Sequence, residues 1–236
     1  MLHRAYLPYP IAPGDVEIRG PEAHHLAQVC RVKPGEDVVL FNGDGSEYRG
    51  KVFSVGRHSI GVRVDCVEAP AREPGHQLEV AAPLPKGDRG KFLVEKLTEL
   101  GVGVYVPLRT ERSVVHPAET HCEKLKRQVI EASKQCGRNT LMEVREVTPW
   151  AQYLSSSALP DYRVLAHPGV HDVIGPRRAL GNIAIAVGPE GGFSDAEITC
   201  ALNAGWKRIG MGPRMLRVET AAIVLAAWGA GVIGPA

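Results

Sequence analysis

Gly188-Pro-Glu-Gly-Gly-Phe-Ser-Asp195 and Gly212-Pro-Arg-Met-Leu-Arg-Val-Glu-Thr220 set the fold reading of this 236-residue chain. Each stretch follows a short strand-like run, Ile183 to Val187 and Lys207 to Met211, and each precedes a helix-like run. Glycine turns between a strand and a helix bring bare backbone against a ligand. A binding site is therefore expected in the last third of the chain.

Working outward, the same alternation continues. Leu78 to Leu84 reads as a strand and Asp88 to Leu100 as a helix, with Phe92, Leu93, Leu97 and Leu100 near one face and Gly101 as its stop. Val104 to Leu108 is a strand. Pro117 to Cys136 is a long helix, carrying Leu125, Val129, Ala132 and Cys136 at steps of four, three and four. Tyr162 to Ala166 suits a buried parallel strand, as does Ile183 to Val187. Ser194-Asp-Ala-Glu197 predicts a capping box that opens a helix to Ala204. Thr220 to Ile233 predicts a last helix, buried or at a dimer face. The pattern implies an α/β fold with a parallel sheet and ligands at the strand C-terminal ends.

Residues 68–77, with Pro70, Pro74 and Gly75, read as a linker. Before it the chain is β-rich. Val38 to Phe41, Tyr48 to Val55 and Ser59 to Val67 are strands, Asn42-Gly-Asp-Gly45 is a turn, and His24 to Arg31 is a short helix. Several short strands in so few residues predict a small barrel over residues 1–70, with the α/β domain over 71–236.

Composition narrows the class. Hydrophobic residues make up 44% and charged residues 23%, ordinary values for a globular chain. The net charge of +2 neither demands nor excludes a nucleic-acid partner. The five cysteines are scattered without a C-x-x-C pair, so reduced cytosolic thiols are expected and a metal site is not. No apolar run approaches the ~20 residues needed to span a bilayer, and no signal-peptide pattern opens the chain, so a cytoplasmic location is expected.

The loop residues constrain the ligand. No Lys-Ser/Thr follows the glycines, so the first loop is not a P-loop, and the spacing is not G-x-G-x-x-G. Glu190 would repel phosphate. An uncharged or cationic ligand portion suits this loop, against the plainer reading of a strand-to-helix turn. In the second loop, Met215 and Leu216 suit an apolar slot. Arg214 and Arg217 suit phosphate or a developing anion, the plainer alternative being an Arg217–Glu219 ion pair at a helix start.

Beyond these loops, Leu84-Pro-Lys-Gly-Asp-Arg89, Thr98-Glu-Leu-Gly-Val102, Pro107-Leu-Arg-Thr-Glu-Arg-Ser113 and Glu131-Ala-Ser-Lys-Gln-Cys-Gly-Arg-Asn139 occur in order, with Arg31-Val-Lys-Pro-Gly35 and Phe41-Asn-Gly-Asp-Gly45 upstream. This ordered set resembles the bacterial ribosomal RNA small subunit methyltransferase E family over nearly the whole chain. The resemblance implies a PUA-like N-terminal barrel, a SPOUT domain with a deep C-terminal trefoil knot, and a homodimer. It also implies methylation of N3 of a uridine, position 1498 of 16S rRNA in the small ribosomal subunit. The implied cofactor is S-adenosyl-L-methionine, held by Leu165, His167, Gly188, Pro189, Glu190, Gly191, Gly192, Met211, Gly212 and Leu216, with no metal. Three departures stand out: Gly90 where a larger residue is common, which would loosen that helix start, Cys30 for leucine, and Met215 for valine.

Methyl transfer to N3 needs the N3 proton removed and the resulting charge stabilised. Arg217 is the first candidate for the second task and Arg214 the next, while Glu219 would accept the proton or orient the arginine. Arg31, Lys33, Arg112, Arg138 and Asn139 are the expected RNA contacts, ahead of the other basic residues Arg49, Lys51, Lys86, Arg89, Arg109 and Lys134. Two rival readings remain: ribose 2′-O-methylation on the same scaffold, and a non-catalytic RNA-binding assembly factor.

Overall fold

The computed structural model describes residues 2–113, 120–168, 170 and 181–232, which divide into two compact units. The first is Met1–Arg72 together with Ser133–Leu141; the second is Glu73–Ala132 and Met142–Ala236.

In the first unit, β1 (His3–Tyr6), β2 (Gly14–Arg19), β3 (Asp37–Phe41), β4 (Glu47–Val55) and β5 (Ser59–Glu68) form one sheet in the order β1-β3-β4-β5-β2. β1 runs parallel to β3 and the other pairs are antiparallel. Alternation aims Val38, Leu40, Val52, Ile60, Val62 and Val64 into one core. The ladder between β4 and β5 slips at Arg49/Gly50. There a Cβ on Gly50 would lie 2.1 Å from the Arg63 carbonyl oxygen, so only glycine fits. The helix predicted from His24 starts earlier, as α1 (Gly20–His24), and continues as a π-helical turn, His25–Cys30. It ends on Arg31, whose φ is 56°.

The segment Ser133–Leu141 joins this unit through polar contacts. Thr140 makes bridges with Gly43 and Asp44. Glu47, 1% exposed, receives hydrogen bonds from Arg4, Arg49 and Arg72. Arg4 also donates to the Arg138 carbonyl and the Asn139 side chain, and Arg72 to the Gly137 carbonyl. Burial pushes the Glu47 carboxyl up, but the hydrogen bonds from Arg72, Arg4 and Arg49 outweigh it and hold it at about 2.

The second unit is a parallel sheet in the order β12-β10-β11-β6-β7-β8, with β9 also on β7. Its strands are β6 (Leu78–Ala82), β7 (Val104–Arg109), β8 (Glu143–Val144), β9 (Thr148–Pro149), β10 (Tyr162–Ala166), β11 (Ile183–Ala186) and β12 (Lys207–Ile209). Leu78–Ala82 and Ile183–Ala186 are buried at every position, as a covered parallel sheet requires. The helices are α2 (Asp88–Glu99), α3 (Thr120–Cys136), α4 (Trp150–Leu154), α5 (Asp195–Asn203) and α6 (Val218–Gly229). The ends predicted for α3 at Pro117 and α6 at Ile233 lie outside the described residues. α2 is not loosened by Gly90: a Cβ there would sit 2.8 Å from the Pro85 carbonyl oxygen and 3.1 Å from Leu84, so the helix start is too tight for a side chain.

Two features of this unit place the site. β10 lies between β11 and β12, with Leu165 opposite Ala186 and Ala166 opposite Ile209, so three strand C-termini end side by side. Beneath them, Trp150, Tyr153, Phe193 and Trp206 form an aromatic cluster, with Trp150 and Phe193 centroids 4.6 Å apart. No described helix is long and apolar enough to cross a membrane.

Candidate active site

The three strand ends open into a cavity of about 320 Å³, within the usual range of small-molecule sites. Four glycines, Gly188, Gly191, Gly192 and Gly212, stand in its wall. After β11, Gly188 turns so closely that a Cβ on it would lie 3.0 Å from the Phe193 ring and 3.1 Å from the Phe193 nitrogen. The Gly192 N–H donates to the Pro189 carbonyl at 2.8 Å, with φ of 69° at Gly192. The predicted capping box then starts α5: the Glu197 N–H donates to Ser194 Oγ at 3.3 Å and the Ser194 N–H to Glu197 Oε2 at 2.9 Å.

Many of the expected ligand-binding residues meet in this wall. His167, Gly188, Pro189, Glu190, Gly191, Gly192, Met211, Gly212 and Leu216 all line it. The His167 N–H donates to the Ile209 carbonyl at 3.0 Å, which ties β10's exit to β12. His167 Nδ1 is buried without a hydrogen-bond partner among the described residues. Leu165 is fully buried within the sheet and lies behind the wall.

The arginines divide. Arg214 lines the cavity, beside Met215, which is 75% exposed. Arg217 caps the start of α6 and is exposed; it is not in the wall, although Ala221, one turn later, is. Neither guanidinium has an ion-pair or hydrogen-bond partner among the described residues. The possible Arg217–Glu219 pair does not form. Glu219, 6% exposed, instead lies 3.5 Å from Arg89 on α2. Two residues along a helix turn the side chain by about 200°, so Glu219 points to α2 while Ala221 faces the cavity. Its Oε2 has no hydrogen-bond partner among the described residues.

The residues expected to reach RNA are placed differently from one another. Arg31 and Lys33 are exposed on the first unit. Arg138 and Asn139 are each 4% exposed and packed inside that unit. Arg112 lines the cavity and donates to the Gly191 carbonyl at 2.8 Å. Of the weaker candidates, Arg49, Lys51, Arg89 and Lys134 all pair with carboxylates. Sequence reasoning missed Ala166, Val187, Phe193, Asp195, Ile198 and Ala221 as cavity residues. Phe193 and Ile198 flank the capping box, and that neighbourhood was the available signal.

The RNA methyltransferase domain family matches residues 72–229, and the RNA methyltransferase PUA domain family matches residues 18–65. The ribosomal RNA small subunit methyltransferase E of Mycobacterium bovis is 30% identical over 88% of this chain and 82% of its own length. The chain belongs to the ribosomal RNA small subunit methyltransferase E family. The family protein of Bacillus subtilis is 29% identical over 86% of this chain and 85% of its own. A crystal structure of the Neisseria gonorrhoeae family member, bound to S-adenosyl methionine, superimposes with a TM-score of 0.88 at 28% identity, covering 96% of each chain.

Proposed function

We propose that this protein transfers a methyl group from S-adenosyl-L-methionine to N3 of a uridine, position 1498, in 16S rRNA of the small ribosomal subunit. The observation that carries the reading is the cavity at three adjacent strand ends, lined by His167, by the glycines of 188–192 and by residues 211–216. The wall fits this cofactor: backbone N–H and C=O groups of 188–192 and 211–216 suit an adenine edge, Met215 and Leu216 its faces, and Glu190 and Asp195 a cationic portion.

When bound, the cofactor supplies an electrophilic methyl on a sulfonium. The protein's residues prepare the acceptor. Uridine N3 carries a proton at neutral pH, and its loss spreads negative charge onto O2 and O4. Arg217, and Arg214 near it, bring guanidiniums that form no ion pair among the described residues. Glu219 acts through α2, anchoring the first turn of α6 and so the position of Arg217; orienting suits its direction better than accepting the N3 proton. Arg31 and Lys33 serve as phosphate contacts, while the burial of Arg138 and Asn139 suits a structural role. The reading includes a cytoplasmic homodimer and a C-terminal trefoil knot.

The test uses purified protein, the cofactor and small ribosomal subunits from a strain lacking the modification, followed by nuclease digestion and mass spectrometry. 3-Methyluridine is expected. A methyl on the ribose would replace this reading with 2′-O-methylation, and no methyl with intact RNA binding would favour an assembly factor.

A further inference from the structure

Of the two arginines that line the cavity, Arg112 differs from Arg214. The turn after β7 is closed on itself, the Thr110 N–H donating to Ser113 Oγ at 2.9 Å and the Ser113 N–H to the Thr110 carbonyl at 3.2 Å. Two further bonds dock it, one on the first turn of α5 and one on the glycine loop. The Glu111 N–H donates to Glu197 Oε1 at 2.8 Å, and Arg112 Nη1 donates to the Gly191 carbonyl at 2.8 Å. The stem of Arg112 lies on Gly191 itself: a Cβ there would be 3.4 Å from both Cβ and Cδ of Arg112. Gly191-Gly192 is the most freely rotating part of the cavity wall, and Arg112 fixes the carbonyl between its two glycines. The side chain is exposed, and its remaining N–H groups have no partner among the described residues. A guanidinium is a planar fork with five donors, so it can hold a carbonyl on one edge and a phosphate on another.

We propose that Arg112 couples RNA docking to cofactor binding, grasping an RNA phosphate with its outer edge while its inner edge locks the Gly191 carbonyl. This rests on the methyltransferase reading and adds a regulation of the same site. A phosphate that orders the Arg112 side chain also orders the glycine loop, so the second ligand meets a wall already set. The coupling is reciprocal: RNA tightens the cofactor and the cofactor tightens RNA by one factor. Arg214 and Arg217 have no loop carbonyl to hold and lack this second effect.

The test is equilibrium dialysis of S-adenosylhomocysteine, a non-reacting probe, with and without saturating small ribosomal subunits that lack the methyl mark. In the wild-type protein the subunits tighten the probe about tenfold. In Arg112→Ala that ratio falls to about one. Arg112→Lys retains the charge and the fold, but a compact ammonium cannot bridge carbonyl and phosphate. It keeps subunit affinity within about threefold and still loses the ratio. Lys33→Ala weakens subunit binding and retains the ratio. A wild-type ratio of one, or an unchanged ratio in both Arg112 variants, overturns the coupling while leaving the methyltransferase reading intact. Wild-type protein that binds no S-adenosylhomocysteine overturns both.

Discussion

Around Glu47, Arg4, Arg49 and Arg72 converge on one carboxylate that is 1% exposed, while Arg112 and Arg214 in the cavity wall and Arg217 outside it form no ion pair among the described residues, although Glu190 and Asp195 line the same cavity. The residue type is the same and the chemical outcome is opposite. A guanidinium that meets a buried carboxylate is consumed by it, because either charge left alone in the interior would cost several kcal/mol. A guanidinium beside glycines and apolar side chains keeps its field for an incoming anion. Motif membership alone does not distinguish these cases; the location of the acids does.

The contrast is sharpest at Arg217. Arg217→Ala should lower turnover about 100- to 1000-fold, the effect of removing one donor from a developing anion, with cofactor affinity nearly unchanged. Steady-state kinetics beside calorimetry checks this, and similar losses in both would make Arg217 a cofactor ligand.

Glu47 tests the other side. Glu47→Gln should cost about 3 kcal/mol, because it strands the Arg4 guanidinium, only 10% exposed, and removes the charge that holds the half-exposed Arg49 and Arg72, with cofactor affinity kept. The pH dependence carries the same signature. The folded carboxyl titrates at about 2, below its ordinary 4.5. Its contribution is therefore fully present above pH 4.5 and is lost as pH falls toward 2. Thermal melts of wild type and Glu47→Gln should converge over that window, and parallel curves would remove Glu47 from the account.

Smaller effects refine the cavity and the RNA surface. Gly188→Ala should weaken cofactor binding at least about tenfold, or roughly 1.4 kcal/mol, since the new Cβ meets Phe193. Unchanged affinity would show that the turn has slack. Lys33→Ala should leave turnover at saturating RNA intact and reduce the salt slope of RNA binding by about one. Arg138→Ala should lower the melting temperature without changing that slope; a changed slope would place Arg138 at the RNA after all.

Much of the second unit could be read in advance because its signals are local. The capping box at Ser194, the apolar runs at Tyr162 and Ile183 and the periodicity of Asp88 to Leu100 each lie within a few residues. The elements that escaped are short or carry a mixed pattern: β1 and β2 near a proline-rich stretch, the two-residue strands β8 and β9, and α4, whose Trp150 and Tyr153 are understood only once Phe193 and Trp206 are beside them. The glycine loops pointed to the place where the cavity lies because close backbone approach requires glycine. By contrast, the burial of Arg138 and Asn139 depends on Arg4, more than 130 positions away. The hold of Arg112 on Gly191 spans 79 positions. Neither separation leaves a local trace.

Because residues 133–141 are folded into the first unit, that unit is sewn from two distant lengths of chain. A protease nick within residues 69–77 should not release it as a free fragment, since a part of its own fabric remains on the far side of the cut. Nor could a homologous barrel be exchanged by swapping the first seventy residues alone. The graft would have to carry a matching patch from the end of α3, so the two halves of this protein are bound to drift through evolution together.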